Sequence, residues 1–185
     1  MGKRGRKAGG EAASGIIAKA ASASMREAKE VGPKVAGDAT DAARKAIPGP
    51  AGKIPLKPPN SRHNLDSIRP KSPSKEVNTV VLPGTDVAKD LDDIAAGRAT
   101  WDPDRQRYLV NGRTYAVEPS GTVFPEAGPG LEQLNRAEYG ALKEYIAAGG
   151  DIEKARAAMA RNPFLTEAAQ ERALEVFRHH KSYRG

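Results

Sequence analysis

The sequence predicts an α+β fold: a small antiparallel three-stranded meander packed with three to four helices, preceded by a largely disordered basic arm. Three observations lead there. Short β-forming runs gather between residues 77 and 124, and Asn111-Gly112 joins two of them. Helical periodicity with clear end signals dominates from residue 134 onward. Ahead of residue 77 there is no aromatic residue, while eight of the 14 prolines lie there.

The arm comes first in the chain. Residues 1–76 hold 16 Lys/Arg against 7 Asp/Glu, a net charge of +9, whereas residues 77–185 carry −2. A segment rich in Ala, Gly, Ser and Pro, with no aromatics and few large aliphatics, buries too little apolar surface to offset its conformational entropy. Marginal helices are expected at 11–30 and 38–47, followed by a proline-rich linker from Pro48 to Pro73. The organisation read from this is a basic arm and linker at 1–76 and a compact α+β effector domain at 77–185.

Val77 to Leu82 reads as a strand, ended by Pro83-Gly84. Thr85 or Asp86 caps a helix in which Val87, Leu91 and Ile94 share a face, and Gly97 suits its C-terminal stop. Trp101-Asp102-Pro103-Asp104 reads as a turn. The hairpin 107–118 turns at Asn111-Gly112, where a type I′ geometry needs positive φ twice. Pro119-Ser120-Gly121 leads to a third strand at Thr122-Val123-Phe124. Asn135 and Glu138 fit a capping box, with Leu134 and Tyr139 as its staple. Gly149-Gly150 stops that helix, Asp151 caps the next, Asn162-Pro163 breaks it, and Thr166 caps the last.

Composition excludes several kinds of function. There is no cysteine, hence no disulfide, thiol nucleophile or Cys-ligated zinc. No apolar run reaches membrane-spanning length, and no apolar region follows the basic N-terminus as in a secretory signal. P-loop, G-x-G-x-x-G, G-x-S-x-G and H-E-x-x-H motifs are missing. No cofactor and no metal site is expected.

Four groups carry candidate chemistry. Lys3, Arg4, Arg6 and Lys7 can release counterions from nucleic-acid phosphates; the plain alternative is a solvated tether. If the last helix continues, Glu175 sits one turn from His179, and His179, His180 and Glu175 become acid/base candidates beside the cations Arg172, Arg178 and Lys181. The alternative is a frayed helix end with dipole-favoured cations. In the hairpin, Arg113, with Arg107, Tyr115 and Glu118 near it, can grip a phosphate or carboxylate, or can simply pair across strands. Asp86, Asp90, Asp92 and Asp93, with Asp102 and Asp104 beyond, suit a divalent cation, or form a solvated helix face.

The runs Val110-Asn111-Gly112-Arg113-Thr114-Tyr115, Gly121-Thr122-Val123-Phe124-Pro125, Gly128-Pro129-Gly130, Leu134-Asn135-Arg136 and Tyr139, Ala141-Leu142 are similar to C-terminal modules of large bacterial secreted or surface proteins. Those are polymorphic toxin systems, Rhs-type and related. The resemblance covers about half the chain, and its motifs are turn and packing residues, so no catalytic residue comes with it. It implies a toxin-like effector acting on nucleic acid or translation, a cognate immunity protein as partner, and secretion or delivery into a target bacterial cytoplasm for interbacterial competition. The alternative is a non-enzymatic module that binds nucleic acid or protein and uses the arm as a tether.

Overall fold

The computed structural model describes Arg44 and residues 46–185. The helices expected at 11–30 and across most of 38–47, and the cations Lys3, Arg4, Arg6 and Lys7, lie outside the described residues.

Strand β1 is Val77–Val81, β2 Thr100–Asp102, β3 Arg107–Val110, β4 Arg113–Val117, β5 Val123–Ala127 and β6 Leu131–Asn135. The helices are α1 Val87–Ala95, α2 Arg136–Ala147, α3 Ile152–Met159 and α4 Glu167–Phe177. Among the described residues, three single 3-10 turns precede β1, at Pro50–Gly52, Ser61–His63 and Leu65–Ser67. Among the described residues no helix is long and apolar enough to cross a membrane.

The α+β class and the number of helices agree with the sequence reading; the three-stranded meander does not. The described residues form two antiparallel sheets, one in the order β2-β3-β4-β5 and a pair β1-β6. Trp101 and Asp102, expected in a turn, belong to β2, where Trp101 pairs with Tyr108 and their rings pack 4.6 Å apart. Strand β6 was hidden because Glu132 and Gln133 separate Leu131 from Leu134, which breaks the alternation a half-buried strand shows. It forms by pairing with β1, Val77 opposite Asn135 through Val81 opposite Leu131.

Local signals set the element ends as expected. Asn111 and Gly112 have φ of 50° and 75°, the left-handed pair of a type I′ turn. Asp86, Asp151 and Thr166 each accept a backbone N–H at their helix starts, and Asn135 with Glu138 forms a full capping box.

Each sheet covers its own core. Val80 and Leu134 of the β1-β6 pair pack on Tyr139, Leu142 and Tyr145 of α2, Met159 of α3 and Phe177 of α4. Tyr108, Val110, Tyr115 and Val123 of the larger sheet pack on Ile94 of α1. Residues 46–76 contribute to both, which corrects the expected boundary at residue 76. Leu65 and Ile68 are buried in the first core and Ala51 in the second. The proline-rich stretch is a strap laid over the sheets. Its prolines limit its own freedom, and a few large aliphatics at the right places anchor it. Lys57 bridges Thr122 and Asn64 bridges Val81, both in parallel. Ala51 donates its N–H to the Tyr108 hydroxyl at 2.9 Å, and that hydroxyl donates to the Pro48 carbonyl at 2.7 Å.

Gly49 seats the strap. Its φ is +77°, and a Cβ there would lie 2.7 Å from Trp101 Cδ2 and from the Tyr108 hydroxyl. Both the left-handed backbone and the contact exclude a side chain. Gly49→Ala is expected to destabilise the chain by about 2–4 kcal/mol, read as a lower urea midpoint at constant m-value. A shift equivalent to less than about 1 kcal/mol would mean the strap simply lifts away at that point.

Candidate active site

The two sheets meet at a bulge. In β5 the partners of Thr114 and Tyr115 are Ala127 and Pro125, so Glu126 is an extra residue with no opposite number. Pro125 has no N–H to offer the ladder, which favours an irregularity there. The Glu126 carbonyl, released from the ladder, accepts from the Thr79 hydroxyl at 3.3 Å and from Gln133 Nε2 at 2.7 Å, tying β1 and β6 to β5. Its carboxylate turns toward Arg107, which donates to it through Nε.

This junction floors a groove of about 790 Å³, lined by Arg62, His63, Thr79, Arg105, Arg107, Thr114, Phe124, Glu126 and Gln133 among others. A second recess of about 490 Å³ shares Arg62, His63 and Phe124 and adds Asn60, Lys75 and Glu118. The lining charge is therefore positive, with Arg62, Lys75, Arg105 and Arg107 outnumbering Glu118 and Glu126.

His63 lines both recesses and also a third, of about 310 Å³, beside Pro58, Pro59 and Leu91. Pro58-Pro59 leads the strap into the Ser61–His63 turn, and Asn64 caps the following turn by accepting the Asp66 N–H at 3.1 Å. Tyr139 of α2 donates its hydroxyl to the Arg62 carbonyl at 2.9 Å, which fixes that turn to the body. The imidazole is only 3% exposed. Its Nδ1 lies 2.7 Å from the Thr79 carbonyl oxygen, which only an N–H can satisfy. In the neutral ring Nε2 is then the basic nitrogen. Nε2 has no protein partner among the described residues, and no unpartnered side-chain nitrogen or oxygen among them is sealed from solvent. Burial pulls the His63 pKa below its ordinary 6.5; the Thr79 bond opposes this, Arg62 adds to it and Glu118 opposes it.

The cations around it are held in place. Arg62 donates through Nη1 to Asn78 Oδ1 at 3.2 Å, and buried Asn78 is in turn fixed by the Lys75 backbone and the Leu134 carbonyl. Arg107 donates through Nη1 to the carbonyls of Arg105 and Gln106 at 3.0 Å each. Gln106 has φ of 58°, so the turn before β3 is wound tightly enough to bring both carbonyls within reach of the Arg107 guanidinium.

The residues expected from sequence to carry chemistry lie elsewhere. Helix α4 ends at Phe177, so His179 does not stack over Glu175. His179 is exposed, and Glu175 is bound to Arg172 at 2.9 Å, as is Glu132 at 2.5 Å. His180 is buried against the Phe177 ring, 5.4 Å between centroids, and its Nδ1 accepts the Ser182 N–H at 3.1 Å. Its Nε2 is 3.8 Å from Asp66. Burial lowers its pKa, with Asp66 opposing and Lys181 adding. Lys181 donates through Nζ to the Asp66 carbonyl at 2.7 Å, and Arg178 is exposed. These are packing and closure contacts at the chain's end.

Arg113 grips a carboxylate, but an internal one. Asp90 of α1 accepts Arg113 Nε at 2.5 Å and Nη2 at 2.9 Å, Asn111 Nδ2 at 2.7 Å and the Tyr115 hydroxyl. Asp93 accepts Lys89 at 2.6 Å, Arg98 at 2.7 Å and Asn111 at 2.9 Å. Asp90 and Asp93 are buried, so neither the solvated face nor the divalent-cation reading describes them. Asp86 caps α1, accepting the Lys89 N–H at 2.9 Å.

Sequence reasoning missed His63, Arg62 and Glu126 and saw Arg107 only as a hairpin charge. In sequence the strap reads as a linker, and Arg62-His63 carries no site signal there. Glu126 follows Phe124-Pro125, and a proline inside a short strand run is a signal of a bulge that could have found it. No protein-family model, curated protein or solved structure matches this chain.

Proposed function

We propose that this chain is a bacterial toxin-type effector that cleaves phosphodiester bonds in nucleic acid, with His63 as general base. One observation carries the reading: a buried histidine, its tautomer set by the Thr79 carbonyl and its Nε2 unpaired, lines a groove together with arginines. A neutral imidazole takes a proton from an attacking hydroxyl at physiological pH. Arg62 and Arg107 offer guanidinium groups to the non-bridging phosphate oxygens, where negative charge grows in the transition state. Glu126 aims Arg107 and is a positioning residue. Such an activity fits delivery into a target bacterial cytoplasm and restraint in the producing cell by an immunity protein that blocks the groove.

The test uses the full chain and labelled nucleic acid. His63→Ala is expected to lower turnover by about 10²–10⁴-fold. Glu175→Ala and His179→Ala should leave it unchanged, because neither side chain reaches the groove. The rate should fall on acidification as Nε2 protonates, with the inflection below 6.5, since the folded environment disfavours the imidazolium. A folded His63→Ala protein that turns over at the original rate refutes the assignment. Binding without cleavage by the unaltered chain would favour the non-enzymatic module.

A further inference from the structure

We infer that the substrate is single-stranded RNA and that the attacking group is the ribose 2′-hydroxyl beside the phosphate it displaces, a reading that rests on His63 being the general base. Three features lead to it. The first is access. His63 is only 3% exposed, so a phosphate meets its imidazole only by entering one of the recesses that His63 lines. A duplex is a stiff rod whose phosphates stay on its outside, whereas a single strand bends and enters a cleft.

The second is Phe124. Its half-buried ring lies 6.2 Å from the His63 ring, tilted by 32°, and borders both recesses. A base next to the attacked phosphate can stack there, as unpaired bases do on aromatic side chains.

The third is the state of the proton acceptors: the Glu118 carboxylate is exposed at the rim of the second recess, where it takes the Ser120 hydroxyl at 3.4 Å. His63 Nε2 is unpaired, while Glu126 is occupied by Arg107. An internal 2′-hydroxyl is already placed next to phosphorus and needs only one proton removed. Nε2 takes that proton, the O2′–P bond forms, and the P–O5′ bond breaks. O5′ leaves with a proton from groove water, and the hydroxide so formed takes the proton from the imidazolium. The products are a 2′,3′-cyclic phosphate and a 5′-hydroxyl, and the enzyme returns to its starting state.

The experiment offers the full chain four end-labelled oligonucleotides of one sequence: RNA, DNA, DNA containing one ribonucleotide, and the RNA annealed to its complement. Expected are cleavage of the RNA to cyclic-phosphate ends, cleavage of the mixed strand only on the 3′ side of its ribonucleotide, no cleavage of DNA, and at least tenfold slower cleavage of the duplex. The comparison alters only the substrate, so protein folding cannot confound it. Comparable cleavage of DNA, or RNA ends bearing a 3′-hydroxyl, overturns the 2′-hydroxyl assignment while leaving His63 as base. Equal cleavage of the duplex overturns the single-strand requirement. If no oligonucleotide is cut, the phosphodiesterase reading fails with it. Phe124→Ala is expected to raise KM about 5–100-fold with kcat little changed, and Phe124→Trp to restore it; an unchanged KM removes Phe124 from the site.

Discussion

A chain shortened to residues 77–185 is expected not to fold. The sequence marks residue 77 as a domain start, but Leu65 and Ile68 of the removed strap are 0% and 4% exposed in the core beneath α2 and α4. Burying each stabilises by about 1.5–3 kcal/mol, before counting the cavity it would leave. Ala51 leaves the second core at the same time. The Tyr139 hydroxyl loses the Arg62 carbonyl, and the Thr79 carbonyl loses His63. Buried groups stripped of their partners add about 1–3 kcal/mol each. The sum reaches the whole stability of an ordinary domain, about 5–15 kcal/mol. Urea titration followed by near-ultraviolet circular dichroism is the measurement. Residues 46–185 should give one cooperative transition and residues 77–185 none; equal midpoints would show that the strap is dispensable.

Asp90→Ala is expected to destabilise by about 3–5 kcal/mol, the cost of breaking a buried ion pair from one side. The carboxylate is 0% exposed, and the Arg113 side chain only 14%. Removing Asp90 leaves that guanidinium and the Tyr115 hydroxyl inside without an acceptor. Asp90→Asn keeps the volume and one acceptor, so a smaller loss is expected. Burial alone would raise the Asp90 pKa, but hydrogen bonds from Arg113, Tyr115 and Asn111 outweigh it and hold it below 3.8. The folded value lies below the unfolded one, so the contribution is complete above 3.8 and is lost as pH falls through the folded pKa. The acid transition of Asp90→Asn should therefore flatten below pH 3.8 relative to the parent chain. An Asp90→Ala protein within about 1 kcal/mol of the parent would mean that Arg113 swings out to water.

What could be read from sequence was what neighbouring residues decide. Asn111-Gly112 must turn because few residues accept positive φ twice in succession, and Asn135 with Glu138 closes a box within one helical turn. What stayed hidden depends on distant partners. The spacing of Asp90 and Asp93 on α1 suits open water as well as it suits burial, and the difference is made by Arg113, 23 residues away. Strand β6 needs β1, whose Val77 pairs with Asn135. The strap looked unfoldable because its own apolar content is thin, yet it does not have to make a core; it only has to complete two. His63 is hidden with it, since the environment of a histidine in such a stretch comes wholly from Thr79 and other distant residues.

The clasp between Asp66 and the chain's end has a consequence for biosynthesis. Asp66 and Lys181 are 115 residues apart, and the same core that holds Leu65 also needs Val176 and Phe177. At a translation rate of about 5–20 residues per second, roughly 6–23 s separate the emergence of the two partners. Throughout that interval the nascent polypeptide presents Leu65 and Ile68 without their covering helix, a window in which a ribosome-associated chaperone has something to hold.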